Sequence, residues 1–201
     1  MRDMRDITAR RRPLLAAFSL LTSIVPPCLP VQASPSSAFT IQAPPSFVTL
    51  SSKSPDSATI FSSGNFATGT TLSVSRIDRS KLGLDGSSSK RVDEALAAYR
   101  DRQTSPGAAK SRIISSTLSD DGGRLEFELL LSLVGDVSSD SQLADPKLTR
   151  HTLAVALAPN ADELLVLWAG ATQDRWDAED GLLLRTSASS FKLNSLDPPT
   201  Q

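Results

Sequence analysis

Few residues in this chain are of a type that does chemistry, and their spacing excludes more than it suggests. His151 is the only histidine and Cys28 the only cysteine. A structural zinc site draws four ligands from clustered cysteines and histidines, so none is expected, and with no second histidine or cysteine no disulfide or thiolate relay is available either. A serine relay is equally unsupported: no G-x-S-x-G elbow, glycine-rich phosphate loop or zincin helix occurs. The sequence therefore predicts a protein without catalytic activity. Asp120-Asp121-Gly122 resembles a fragment of a calcium loop but lacks its alternating acids and distal glutamate, so a hairpin turn is the better reading. With Glu126 and Glu128 these aspartates form an acidic cluster, read as a solvated face that could at most offer weak calcium sites or steer docking. Arg175-Trp176 pairs two residue types enriched in partner-binding hot spots. The plainer reading puts Trp176 under the last helix as a core anchor.

The elements that must position these residues are legible as short apolar alternations. Phe39-Thr40-Ile41 runs into Pro44-Pro45, Phe47–Leu50 and Ala58–Ser62 follow, and Thr70–Asp78 places Leu72 and Val74 on one face with Ser73 and Ser75 on the other. Gly83–Ser89 is turn-rich. Val92, Ala95, Leu96 and Tyr99 then mark one stripe of a helix from about Ser89 to Gln103, closed by Pro106-Gly107. Two hairpins are predicted, Ile113–Leu118 with Arg124–Val134 around Asp120–Gly123, and His151–Ala158 with Glu163–Gly170 around Pro159-Asn160. Leu164–Trp168 is apolar throughout, which predicts a strand covered on both faces. Gly135–Asp145 is polar and reads as a disordered insertion. Leu184, Ala188 and Phe191 set a helix within Asp177–Phe191. The expected fold is α+β: one domain, with a central antiparallel sheet of about six strands between helices.

Charge and hydropathy divide the chain sharply. Residues 1–33 hold five arginines and two acids, leaving 16 basic against 20 acidic residues and a net charge of −4 beyond them. No basic excess exists to neutralise phosphates, so nucleic acid is not an expected partner. Arg10-Arg11-Arg12, the apolar run Leu14–Val25 and the small-residue site Val31-Gln32-Ala33 follow the order of an export signal. Pro26, Pro27 and Pro30 argue against a buried helix there, and the run falls short of the ~20 residues needed to span a bilayer. Arg11-Arg12 also leaves the twin-arginine route open beside the general one. Val25-Pro26-Pro27 before Cys28 is a poor lipobox, so no lipid anchor is expected. The predicted organisation is a signal at 1–33, a linker at 34–37, a domain at 38–193 and a tail at 194–201. No later stretch is long and apolar enough to cross a membrane, so a peripheral protein is expected.

The C-terminal third carries a family resemblance. Arg150-His151-Thr152-Leu153, two strands, Ala169-Gly170, Asp174-Arg175-Trp176, a helix and Ser190-Phe191 resemble the end of the PsbP domain. Phe39-Thr40-Ile41 before Pro44 is similar to that family's first strand, and Ile60-Phe61 and Leu72–Ser75 to its next two. The resemblance implies an α/β/α sandwich of the Mog1/PsbP type in the thylakoid lumen. The implied role is that of an accessory protein of photosystem II, with its oxygen-evolving complex, or of another thylakoid complex. It also implies His151 and Asp174 as candidate ligands of a divalent cation (calcium, manganese or zinc). A hairpin brings the start of one strand near the end of its partner, and a plain His–Asp hydrogen bond is the simpler reading of that proximity. The founding PsbP has a basic N-terminal arm, whereas only Ser34–Ser37 separates the predicted cut from Phe39 here. That difference and the acidic balance favour a PsbP-like or PsbP-domain relative. The alternative is a Mog1-like interaction module for a small GTPase, against which the signal segment argues.

Cleavage after Ala33 is expected to leave Ser34, or a residue within a few positions of it, as the mature N-terminus. N-terminal sequencing of the protein from its working compartment checks this, and an intact 1–33 there would contradict it.

Overall fold

The computed structural model describes residues 38–50, 58–84, 91–103, 111–132 and 149–194. The predicted signal, the linker, the polar loop 135–145, Pro106-Gly107, all of 85–89 and the tail beyond Asn194 lie outside the described residues.

Two strands form the axis of the molecule. β7 (Thr149–Leu157) and β8 (Glu163–Thr172) pair antiparallel with Ala154 opposite Trp168. β4 (Thr70–Asp78) flanks β8, and β6 (Arg124–Ser132) flanks β7. β3 (Thr59–Asn65) and the short β2 (Val48–Leu50) complete one side, and β5 (Arg112–Leu118) the other. The order is β2-β3-β4-β8-β7-β6-β5, a seven-stranded sheet in which every neighbouring pair is antiparallel. The sheet has seven strands against about six expected, with Val48–Leu50 at one edge. β1 (Phe39–Thr40) instead leaves the sheet to pair with β9 (Lys192–Leu193), closing the two ends of the domain together.

Side chains on a strand alternate between faces, and in β7 and β8 both faces are apolar. One set comprises Leu153, Val155, Leu157, Leu165, Leu167 and Ala169, which pack with Leu72, Val74, Phe39, Phe61, Leu184 and Phe191. The other comprises Ala154, Ala156, Leu164, Val166 and Trp168, which pack with Phe127, Leu129, Ile77 and Leu96. α1 (Val92–Gln103) covers the second face through the expected stripe, with Ala95 and Leu96 buried and Val92 and Tyr99 against them. α2 (Gln173–Trp176), α3 (Glu179–Ser190) and the segment 38–43 cover the first. No helix among the described residues is long and apolar enough to cross a membrane.

The helix expected within Asp177–Phe191 is α3, and the turn α2 precedes it as a separate helix. α2 is one turn, and its end hydrogen-bonds back through Asp177 N to Gln173 O at 3.0 Å. α3 then starts so close that a Cβ on Gly181 would sit 1.9 Å from the Trp176 carbonyl oxygen. Only a residue without a side chain fits there, and the obstacle is backbone that cannot swing aside. Gly181→Ala is therefore expected to lower stability by about 1–3 kcal/mol, the usual cost of overpacking. Urea unfolding, followed by far-ultraviolet circular dichroism, measures it. An unchanged midpoint would mean that the α2–α3 turn is looser than described.

Candidate functional site

His151 lies on the face of β7 that also carries Leu153 and Val155, and it is only 5% exposed. A buried imidazole needs partners for both ring nitrogens, and the neighbouring elements supply them. Across the ladder His151 faces Leu130, so Glu128, two residues along β6, is its diagonal neighbour on the same face. Glu128 Oε2 lies 2.9 Å from His151 Nε2. On the other side, Gln173 Oε1 at the start of α2 lies 3.2 Å from Nδ1. The Gln173 amide has its orientation set by Asp177, whose two carboxylate oxygens accept from Gln173 Nε2 at 2.9 and 3.0 Å. An oxygen thus stands at each ring nitrogen.

The imidazole also stacks on Trp176, with ring centroids 4.1 Å apart and planes 7° from parallel. Arg185, one turn and more into α3, places its guanidinium 4.7 Å from the centre of the same indole. It also donates to the second oxygen of Glu128. One carboxylate therefore bridges a histidine and an arginine that both rest on one tryptophan. Cation–π contact and a bridged carboxylate each hold a flexible side chain in one geometry. Arg124, at the start of β6, extends the row. Its guanidinium donates to Ala188 O and Phe191 O at 2.9 Å each, capping the end of α3, and meets Glu126 at 3.2 Å. At the other end of that helix Thr70 Oγ1 donates to Asp180 Oδ2 at 2.6 Å.

These contacts revise the expectations for the site. Glu128 is not on an open solvated face, because α3 lies over it and brings Arg185 to it, whereas Glu126, its side chain 45% exposed, pairs with Arg124 of its own strand. The partner of His151 is Glu128 rather than Asp174. Asp174 is exposed on α2, where the Thr172 hydroxyl holds its carboxyl below the ordinary carboxylate range, with the Arg175 charge acting the same way. Among the described residues no group of three or more histidines, cysteines, aspartates or glutamates could hold a metal ion. Trp176 is buried, as its core reading requires, so of the Arg175-Trp176 pair only Arg175 meets solvent. Asp120–Gly123 is the expected hairpin turn, with Gly122 N donating to Ser119 O at 2.8 Å and Gly122 at a φ of +69°.

No sequence-family model matches the chain, and no curated protein does. Among solved structures, cyanobacterial PsbP (CyanoP) from Synechocystis sp. PCC 6803 is similar at 21% identity and a TM-score of 0.54. The match covers 78% of this chain and 87% of that one. The Ran-binding protein Mog1p of Saccharomyces cerevisiae matches at 13% identity and a TM-score of 0.49, over 78% and 90% of the two chains. The fold is thus of the PsbP type, an antiparallel sheet between helical layers, as the sequence led us to expect.

Truncating Glu128 would leave a buried ring nitrogen and an arginine without their shared acceptor. Glu128→Ala is expected to cost about 1–3 kcal/mol, whereas Arg175→Ala, at an exposed position, is expected to change stability by less than about 0.5 kcal/mol. Chemical unfolding of the two variants checks the contrast. Equal effects would show that the bridged carboxylate contributes nothing beyond its exposed neighbour.

Proposed function

We propose that this chain is a non-enzymatic accessory protein of a photosynthetic membrane complex, held peripherally on the lumenal side of the thylakoid. The observation that carries the reading is that the residues resembling the PsbP domain build one joined structure. The His151-led strand, the hairpin, the Trp176 turn and the helix ending at Phe191 meet around the His151–Trp176 stack. A PsbP-type fold and an N-terminal segment ordered like an export signal support the same address. The partner is photosystem II or another thylakoid complex, and the task is assembly or stability of that complex.

Charge sets how it docks. A net −4 beyond residue 33 and no basic arm leave little for a salt-sensitive, arm-driven attachment. Steering by exposed charge fades as salt shortens the Debye length to ~8–10 Å, and a contact made by a folded face responds less. Membrane association is therefore expected to be weak or, where present, largely kept in moderate salt. Fractionated thylakoids of the source organism, probed with an antibody after a salt series, check both points. Co-migration with a photosynthetic complex supports the reading. Absence from thylakoids overturns the address, and sharp release by salt overturns the docking mode.

A further inference from the structure

The face of the sheet opposite His151 holds a recess whose chemistry the proposed role does not use. Along β8 this face runs Leu164, Val166, Trp168 and then Gly170; along β4 it runs Ile77, Ser75, Ser73 and Thr71. The first half is apolar and closes under the start of α1. The second half has small and hydroxyl-bearing residues where packing would call for larger ones. The last turn of α1, with Tyr99, Arg100 and Gln103, spans it, leaving a cavity of about 220 Å³.

Two guanidinium groups serve this recess. Arg100 lies along one wall with its charge 5.2 Å from the centre of the Trp168 ring. Arg150 comes from β7, on the same face as Thr152, and crosses Gly170. A Cβ there would meet Thr152 Oγ1 at 2.9 Å and Arg150 Nε at 3.2 Å, so glycine leaves both side chains their room. Arg150 donates to Gly69 O and Gly170 O at 3.0 Å each and to the Thr71 hydroxyl, all neutral acceptors. Among the described residues no carboxylate reaches it at ion-pair distance. The two positive charges oppose each other: Arg100 is pushed down to about 10, chiefly by burial and next by Arg150, with Asp101 beside it acting the other way. A cation held among neutral acceptors, as Arg150 is, is costly to bury unless something negative offsets it. Thr152, 1% exposed, lines the same cavity, and its hydroxyl has no hydrogen-bond partner among the described residues. A buried unpaired hydroxyl carries its own desolvation cost.

We propose that this recess is a binding site for a tetrahedral oxyanion, inorganic phosphate or the phosphate head of a small monoester. The hydroxyl of Thr152 donates to it, Arg100 supplies the fork of charged donors, and Arg150 adds its field from behind Gly170. Hydroxyls of Ser73, Ser75 and Thr71 complete a polar wall. Planar guanidinium donors and short hydroxyls are the groups that match phosphate geometry. The cavity is large enough for the anion and a short organic body lying along Trp168 and Tyr99. This site lies on the other side of the sheet from the His151 cluster, so it stands or falls apart from the proposed docking role.

The test is thermal unfolding and NMR titration of the full chain with inorganic phosphate and with glycerol phosphate at constant ionic strength. At about a hundred times its dissociation constant the bound anion should raise the melting temperature by roughly 5–10 °C. Arg100→Gln should weaken binding by about tenfold or more. Because that variant removes a buried group and could fail to fold, Thr152→Val is the decisive one. It keeps shape and removes an unpaired hydroxyl, so the unliganded protein should be no less stable, while affinity for the anion falls. Tighter binding of glycerol phosphate assigns the monoester, and tighter binding of the free ion assigns phosphate itself. No stabilisation by either anion, or stabilisation that Thr152→Val leaves unchanged, overturns the site.

Discussion

The whole architecture depends on one constraint: β7 and β8 are apolar on both faces and must be covered on both. Leu165, Leu167 and Ala169 face one way and Leu164, Val166 and Trp168 the other, all buried. A single helical layer would leave several large side chains of the central pair in water, each costing about 1.5–3 kcal/mol relative to burial. The chain solves this from its two halves. The connection between β4 and β5 supplies α1 for one face. The C-terminal α2–α3 unit covers the other, locked to the N-terminus by the β1–β9 ribbon. The flanking strands need only one apolar face each, and that is what allows charge and hydroxyls to appear in the interior at β6 and β4.

Those two flanks have used the freedom in opposite ways. At β6 the polar face is Arg124, Glu126 and Glu128, and α3 lies over it with Arg185 and with open carbonyls at its end. Charge meets charge, and the hydrogen bonds are filled from inside the molecule. The His151–Glu128 contact is largely buried, so breaking it is expensive, while the Arg185 and Arg124 pairs are partly in water. Their effect is to fix where α3 sits, and with it the Trp176 turn and the His151 ring. At β4 the polar face is Thr71, Ser73 and Ser75, and the helix above lays Arg100 over it against Trp168.

The sequence made the sheet readable and the site hard to see, for physical reasons. Strand and helix periods come from local patterning, so the α1 stripe and the continuous apolar run of β8 could be read directly. Edge pairing could not: Phe47–Leu50 reads as a strand, but the place of Val48–Leu50 beside β3 at the sheet edge is set by tertiary pairing. The break between α2 and α3 is likewise tertiary, since Gly181 reads as a tolerable helix residue until the Trp176 carbonyl is placed against it. His151 and Trp176 stood out by composition, one as the sole histidine. Their real partners, Glu128 and Arg185, are common residue types 57 positions apart in sequence. An alternating glutamate in a strand looks solvent-facing unless one knows that a helix will lie across it. The faint signal was the row itself: an arginine and two glutamates at spacing two along one strand face, beside a terminal helix with an arginine on its polar side.

The same reasoning explains what holds His151 in place in a neighbourhood rich in acids. Here an acceptor stands at each nitrogen: Glu128 at Nε2, and at Nδ1 the oxygen of Gln173, which Asp177 keeps turned toward the ring. Swinging the ring out of place would mean breaking the carboxylate bridge that also holds Arg185 on Trp176. The cost of that step falls on the α3 contact, not on a surface loop that could adjust. A ring so held suits positioning a helix, and the histidine's place in the fold follows from packing before it follows from chemistry.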